Sequence, residues 1–149
     1  MRQFLRKMKK ISLSLFTVLF LACGISTSII SEREALYQVL TQQIDGGANI
    51  RFFEILTEPN EIRMLQNDEK LKNKINAVDV QKSNFVILNM GEKNTAGYSI
   101  GIDSVVETEK NIIISVKESN PEPDSMITQS FTYPFCVVKI NSKKEIIIK

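Results

Sequence analysis

The sequence predicts an α+β chain that is mainly β: an antiparallel sandwich or barrel-like sheet with one or two N-terminal helices, preceded by a signal peptide. Three observations carry this expectation. From Ser83 to the C-terminus, apolar residues alternate with polar ones or run in short blocks separated by turn residues. Helical spacing of apolar residues appears only ahead of that point, in Glu32–Gln43 and after Pro59. The chain opens with a basic head and a short apolar run unlike anything that follows. With 149 residues, 43% hydrophobic and 24% charged, a single globular domain is the expectation.

Arg2, Arg6, Lys7, Lys9 and Lys10 form the head, and Ile11–Ala22 the apolar run. Roughly 20 apolar residues are needed to span a bilayer, so the run is too short for a comfortable membrane anchor and has the layout of a secretory signal. Its end, Phe20-Leu21-Ala22-Cys23-Gly24, resembles the lipobox of bacterial lipoproteins, with Phe20 where Leu or Val is usual. That resemblance implies cleavage after Ala22 and a diacylglyceryl group on Cys23. Two acyl chains hold a protein on a membrane where one is marginal. The expected location is therefore the cell envelope, lipid-anchored to a membrane on its periplasmic or surface face. The expected division is a lipoprotein signal peptide at 1–22, a tether at 23–31, and one globular domain at 32–149 with a β-rich core at 83–149. Loss of the signal takes 5 of the 19 Lys+Arg and none of the 17 Asp+Glu, so the mature domain is mildly acidic. Nucleic acid is a poor partner for it, because phosphate binding needs clustered cations.

Within the domain, Leu36, Val39 and Leu40 put apolar residues at helical spacing over Glu32–Gln43, and Asp45-Gly46-Gly47 stops that helix. Arg51–Thr57 reads as a strand. Pro59-Asn60 opens a second helix, with Asn60 as its N-cap and Met64, Leu71, Ile75 and Val78 as a thin apolar stripe. Phe85–Leu88 is a continuous apolar run suited to a strand covered on both faces. Gly91–Ala96 is a loop. Tyr98, Ile100 and Ile102 alternate with polar residues, as do Ile112, Ile114 and Val116 beyond the Thr108–Asn111 turn. Asn120–Asp124, with Pro121 and Pro123, is a rigid connection. Met126–Thr132, Phe135–Ile140 and Ile146–Ile148 complete the predicted strands, the last after an Asn141–Lys144 turn.

The absence of histidine removes Ser-His-Asp and Cys-His catalysis and the common zinc sites. Cys136, the one thiol besides Cys23, is expected to face the core. Acidic pairs such as Glu107 and Glu109, or Glu118 and Glu122, read as solvated turn charges. No phosphate-binding glycine loop follows a strand. The chain is expected not to be an enzyme, and no metal, cofactor or small-molecule substrate is expected.

The informative segment is Gly91-Glu92-Lys93-Asn94-Thr95-Ala96-Gly97-Tyr98-Ser99-Ile100. Gly97 suits a positive φ or a close approach of another segment. The Thr95 hydroxyl can tie the loop to its own backbone. Tyr98 has an apolar body and a polar tip. Pro134 cannot donate to a ladder and so marks an edge or a bulge. With Asn120–Asp124 and Thr132–Ile140, the segment resembles the C-terminal domain of PrcB-type protease-complex subunits, over about Phe85 to Ile140. The family has Pro where Asn94 stands and Gly where Ala96 stands. A looser likeness appears at Phe53-Glu54-Ile55 and from Asp79 to Phe85. The resemblance implies a secreted or lipid-anchored accessory protein, without catalytic residues, that associates with and stabilises a secreted protease or another partner protein. The expected contact loop is Glu92, Lys93, Asn94, Thr95, Ala96, Gly97 and Tyr98, with Pro121, Pro123 and Pro134 as structural residues. Asn94, Thr95, Gly97 and Tyr98 are also similar, in order, to the Asn-Pro-Thr-Thr-Gly-Tyr loop of chagasin-type cysteine protease inhibitors, which implies inhibition through the same loop. A structural lipoprotein with no specific ligand is the third expectation.

Overall fold

A computed structural model describes residues 35–124 and 126–149. The signal peptide at 1–22, Cys23, the tether at 23–31 and the start of the predicted N-terminal helix lie outside these residues. The described chain runs β1 (Tyr37–Gln43), β2 (Arg51–Leu56), α1 (Pro59–Leu65), α2 (Ala77–Lys82), β3 (Asn84–Met90), β4 (Ser99–Glu107), β5 (Asn111–Ser119), β6 (Phe135–Ile140) and β7 (Glu145–Ile148). A four-stranded sheet has the order β1-β6-β3-β2 and a three-stranded sheet the order β4-β5-β7. The predicted class holds: mainly β, two packed sheets and two helices.

Strand alternation explains the layers. Val86, Leu88, Cys136 and Val138 are fully buried and pack with Ile100, Ile112 and Ile114 of the second sheet. Their sequence neighbours Phe85, Ile87 and Val137 point the other way, against Ile62, Leu71, Ile75 and Val80 of the helical segment. Both faces of β3 and β6 are thus covered, which is why these strands read as nearly continuous apolar runs. Each fully buried side chain of this size contributes about 1.5–3 kcal/mol through transfer from water.

The predicted helix over Glu32–Gln43 is corrected: Tyr37–Gln43 is a strand, antiparallel to β6 with Tyr37 opposite Ile140 and Gln43 opposite Phe135. The three residues that suggested a helix share no face. Leu36 packs into the core between the sheets, Leu40 into the core under the helices, and Val39 is 40% exposed. A bulge at Leu40, where the register skips from Val39 to Thr41, turns Leu40 away from the face that strand alternation from Leu36 would give it and leaves Leu40 and Thr41 buried side by side.

The helical segment also differs from expectation. Its first helix begins at Pro59 with Glu58, not Asn60, as N-cap, and Glu61 reaches back to the Glu58 N–H at 3.3 Å. It ends at Leu65. Asp68 then accepts from the N–H groups of Leu71, Lys72 and Lys70 in a series of turns. A new helix starts where the Asn76 side chain accepts from Val78 N and Asp79 N at 2.8 and 2.9 Å. Leu71 and Ile75 of the predicted stripe are buried, whereas Met64 and Val78 are 70% and 59% exposed.

Three further corrections concern the β half. Met126–Thr132 is not a strand: it makes one bridge, Thr132 to Lys93, and Met126 is fully exposed. With no strand alongside it there is no ladder to join. Pro134 marks neither an edge nor a bulge. It directly precedes the central strand β6 and is fully buried; its carbonyl accepts from Met90 N at 2.9 Å, and its ring nitrogen, at the entrance of the strand, returns no bond. The last strand does not continue the antiparallel pattern. After Asn141–Lys144 the chain crosses to the other sheet, and β7 runs parallel to β5 with Ile112 opposite Ile146. Lys144 holds the crossing through the Thr108 carbonyl at 2.8 Å and Glu107 at 2.9 Å.

Cys136 lies in the core between the sheets, as expected, and burial pushes its thiol from 9.0 up to about 11. The thiolate is the reactive form, so Cys136 in the folded chain is expected to resist iodoacetamide at pH 8 and to be alkylated on unfolding, as peptide mapping would record. Because the folded state holds this proton more tightly, the stability it contributes is complete below about pH 9 and lost as pH rises towards 11.

Candidate functional site

Sheet direction puts the loops of interest at one pole. Leu36 and Ala35 lie beside Asn141: Asn141 N donates to the Leu36 carbonyl at 2.9 Å, and Asn141 Nδ2 to that of Ala35 at 2.7 Å. From there β1 runs to Gln43 beside Phe135, and β3 runs from Asn84 beside Ile140 to Asn89 beside Phe135. The connections 44–50, 91–98 and 120–134 therefore meet at the opposite end of the sandwich, about 20 Å away at 3.3 Å per residue.

Backbone bonds join these connections. Lys93 and Thr132 exchange N–H···O bonds at 2.9 Å each way, Ala96 N donates to the Thr128 carbonyl at 3.0 Å, and Glu92 N to that of Asn49 at 2.9 Å. Gly47 N donates to the Tyr133 carbonyl, and Tyr133 N to that of Ile44. Asn89 locks the first loop from below: it donates to the carbonyls of Ala48 and Ile50, and its Oδ1 accepts from Ala48 N. Only 1% exposed, it spends its amide on this one loop.

Each residue of the expected contact loop can be placed. Glu92 is exposed and accepts from the Tyr133 hydroxyl at 2.9 Å; that hydrogen bond to a carboxylate holds the Tyr133 phenol above its usual value of 10.0. The Lys93 ammonium sits 5.4 Å from the centre of the Tyr98 ring. Tyr98 is half-buried and packs on the core between the sheets. Asn94 is exposed and Ala96 half-buried. The loop tie expected of the Thr95 hydroxyl comes instead from Thr132, whose hydroxyl donates to the Thr95 carbonyl at 3.0 Å.

Gly97 has φ +94°, and a Cβ there would stand 2.6 Å from Cβ of Pro121. Both physical expectations for this glycine are met, and Pro121 is what approaches it; Pro123 is exposed. Gly97→Ala is expected to cost about 2 kcal/mol, from strain at positive φ and overlap with Pro121. The check is the urea midpoint, together with shifted backbone amide signals in 92–98 and around Pro121.

Sequence reading missed two partners of this loop. One is the 44–50 connection, whose signal was Asn89 in an otherwise apolar strand followed by Gly91. The other is Thr132-Tyr133, of which Thr132 was read as the end of a strand. Around the loops stand exposed apolar residues, Ile44 at 57%, Ile50 at 71% and Phe131 at 61%. Among the described residues no group of three His, Cys, Asp or Glu side chains is placed to hold a metal ion.

Residues 84–141 match the family model described as PrcB C-terminal. The match runs from β3 through β6 and includes the 91–98 loop, Pro121 and Pro134. No curated protein and no solved structure matches the chain.

Proposed function

We propose, for a chain whose residues 84–141 match the PrcB C-terminal family model, that it is a lipid-anchored accessory protein of the cell envelope that binds a partner protein, such as a secreted protease, and stabilises it. The domain points to a role as a subunit of a protease complex, in a protease-associated rather than catalytic family. The anchor is Cys23, and the partner is met by the loop from Glu92 to Tyr98. The observation that carries the reading is the bonding of that loop to the 44–50 and 126–133 segments, which makes one firm surface with exposed apolar tips.

The experiment is recovery of the native protein from detergent-solubilised envelope, with mass spectrometry of its N-terminus and of what accompanies it. An acylated Cys23 and a stoichiometric protein partner are expected. A free N-terminus on cytosolic protein, or no partner under mild conditions, would overturn the reading. Titration against papain-like proteases separates a chagasin-like inhibitor, which would abolish activity, from a stabilising subunit, which would leave it intact. Unchanged partner recovery after replacement of Glu92 to Ala96 would favour the structural lipoprotein.

A further inference from the structure

Among the described residues two sheets have four edges, and three of them are blocked. Strand β1 carries the bulge at Leu40, and Lys74 Nζ occupies the Leu40 carbonyl. Strand β4 is bulged between Ile102 and Ser104, and Gln42 Nε2 occupies the Ile100 carbonyl. Strand β7 is four residues long. Bulges, cover and shortness are the devices by which proteins keep edges from pairing with other chains.

Among the described residues, strand β2 has none of them. Its six residues, Arg-Phe-Phe-Glu-Ile-Leu, pair with β3 in unbroken register from Arg51–Met90 to Leu56–Phe85, without proline, lysine or bulge. The side that is free follows from strand period. Met90 N donates to Pro134, so Met90, Leu88 and Val86 turn their backbone groups to β6, and Phe85, Ile87 and Asn89 turn theirs to β2. Phe52, Glu54 and Leu56 accordingly face β3, and the N–H and C=O groups of Arg51, Phe53 and Ile55 face outward. No backbone bond among the described residues takes them up. The side chains are suited to company: Phe53 and Ile55 are only partly buried on the core side, while Glu54 is exposed and no cation among the described residues pairs with it.

We propose that β2 is a strand-addition site that takes an extended segment of the partner protein, apolar at alternate positions and carrying a lysine or arginine opposite Glu54. The inference rests on the reading of the chain as a protein-binding module. Main-chain bonds to Arg51, Phe53 and Ile55 hold the segment, and the cation opposite Glu54 sets its register. Charge argues against a second copy as occupant. Antiparallel pairing of two β2 strands about a two-fold axis places Glu54 opposite an even-numbered residue, and Ile50, Phe52, Glu54 and Leu56 include no cation. Arg51 is excluded by parity, and Glu118 already engages it at 2.9 Å.

The test uses the full chain and two synthetic peptides of alternating valine and threonine, identical except for a central lysine or glutamate. The lysine peptide is expected to slow hydrogen exchange at the amides of Arg51, Phe53 and Ile55 and to bind roughly three- to tenfold more tightly than the glutamate peptide. Glu54→Lys, at an exposed position, is expected to reverse that preference without loss of folding. No protection of these amides by either peptide, or equal affinity for both, would overturn the proposal. So would amides already protected in the free chain, whether dependent on protein concentration, as for a second copy, or independent of it, as for a segment of the chain itself. Recovery of the envelope partner by Glu54→Lys at the wild-type level would also sink it, yet leave the proposed function standing.

Discussion

Asp79→Ala is expected to destabilise the protein by about 3–5 kcal/mol, the cost of leaving one member of a buried ion pair without the other. Lys139 lies on β6 beneath α2, and its Nζ donates to Asp79 Oδ1 at 2.9 Å, with the two side chains 9% and 10% exposed. A lysine at a central strand position would normally face water. Here the helical layer covers it, and the only way to keep the charge is to bring a carboxylate with the cover. Asp79 does this from the first turn of α2, where its second oxygen also accepts from Asn76 N at 2.9 Å. The pair therefore fixes the docking of α2 on the sheet as well as satisfying the charge. Replacing both residues with apolar side chains of similar size is expected to cost far less than Asp79→Ala alone. A double-mutant cycle by urea unfolding checks this, and equal losses in the single and double variants would refute the pairing.

Gly47→Ala is expected to cost about 2–4 kcal/mol and to disturb the loop pole selectively. Its Cβ would collide with Asn89 Oδ1 and stand 2.7 Å from the Tyr133 carbonyl. Relief of the overlap must break the Asn89 bond to Ala48 N or the Gly47 bond to Tyr133. A lost bond of that kind leaves a buried polar group unpaired, at about 1–3 kcal/mol, and overpacking adds a similar amount. Amide exchange should quicken in 44–50 and at Tyr133 while the centres of β3 and β6 stay protected. A variant as stable as wild type, with that loop unmoved, would show that Asn89 does not organise the pole.

The β half was legible because its physics is local. Phe85–Leu88, Ile112–Val116 and Phe135–Ile140 each state their strand in their own apolar pattern, and Gly97 announces its positive φ by being glycine. What was illegible depends on partners distant in sequence. Leu36, Val39 and Leu40 look helical until β6 is laid beside them and the bulge at Leu40 sends them to three different places. Met126–Thr132 has strand-like residues but only the 91–98 loop beside it, which gives it a single bridge and no ladder. The course of β7 is set by Lys144 reaching Thr108 and Glu107, which no reading of Ile146–Ile148 contains. At the site, the loop from Glu92 to Tyr98 was found from its own residues. Its coupling to Asn49, Thr128 and Thr132 was not, because most of those bonds are backbone bonds and the Thr132 hydroxyl reaches Thr95 from a segment distant in sequence.

On the proposed function, the partner sits on the pole formed by 44–50, 91–98 and 126–133. Hydrogen-exchange mass spectrometry of the complex recovered from envelope, against the free protein, addresses that directly. Slowed exchange at Glu92–Tyr98 and in the two connections bonded to it is the predicted result. Protection confined to α1 and α2, or to the outer face of β4, β5 and β7, with the loop pole unchanged, would contradict it.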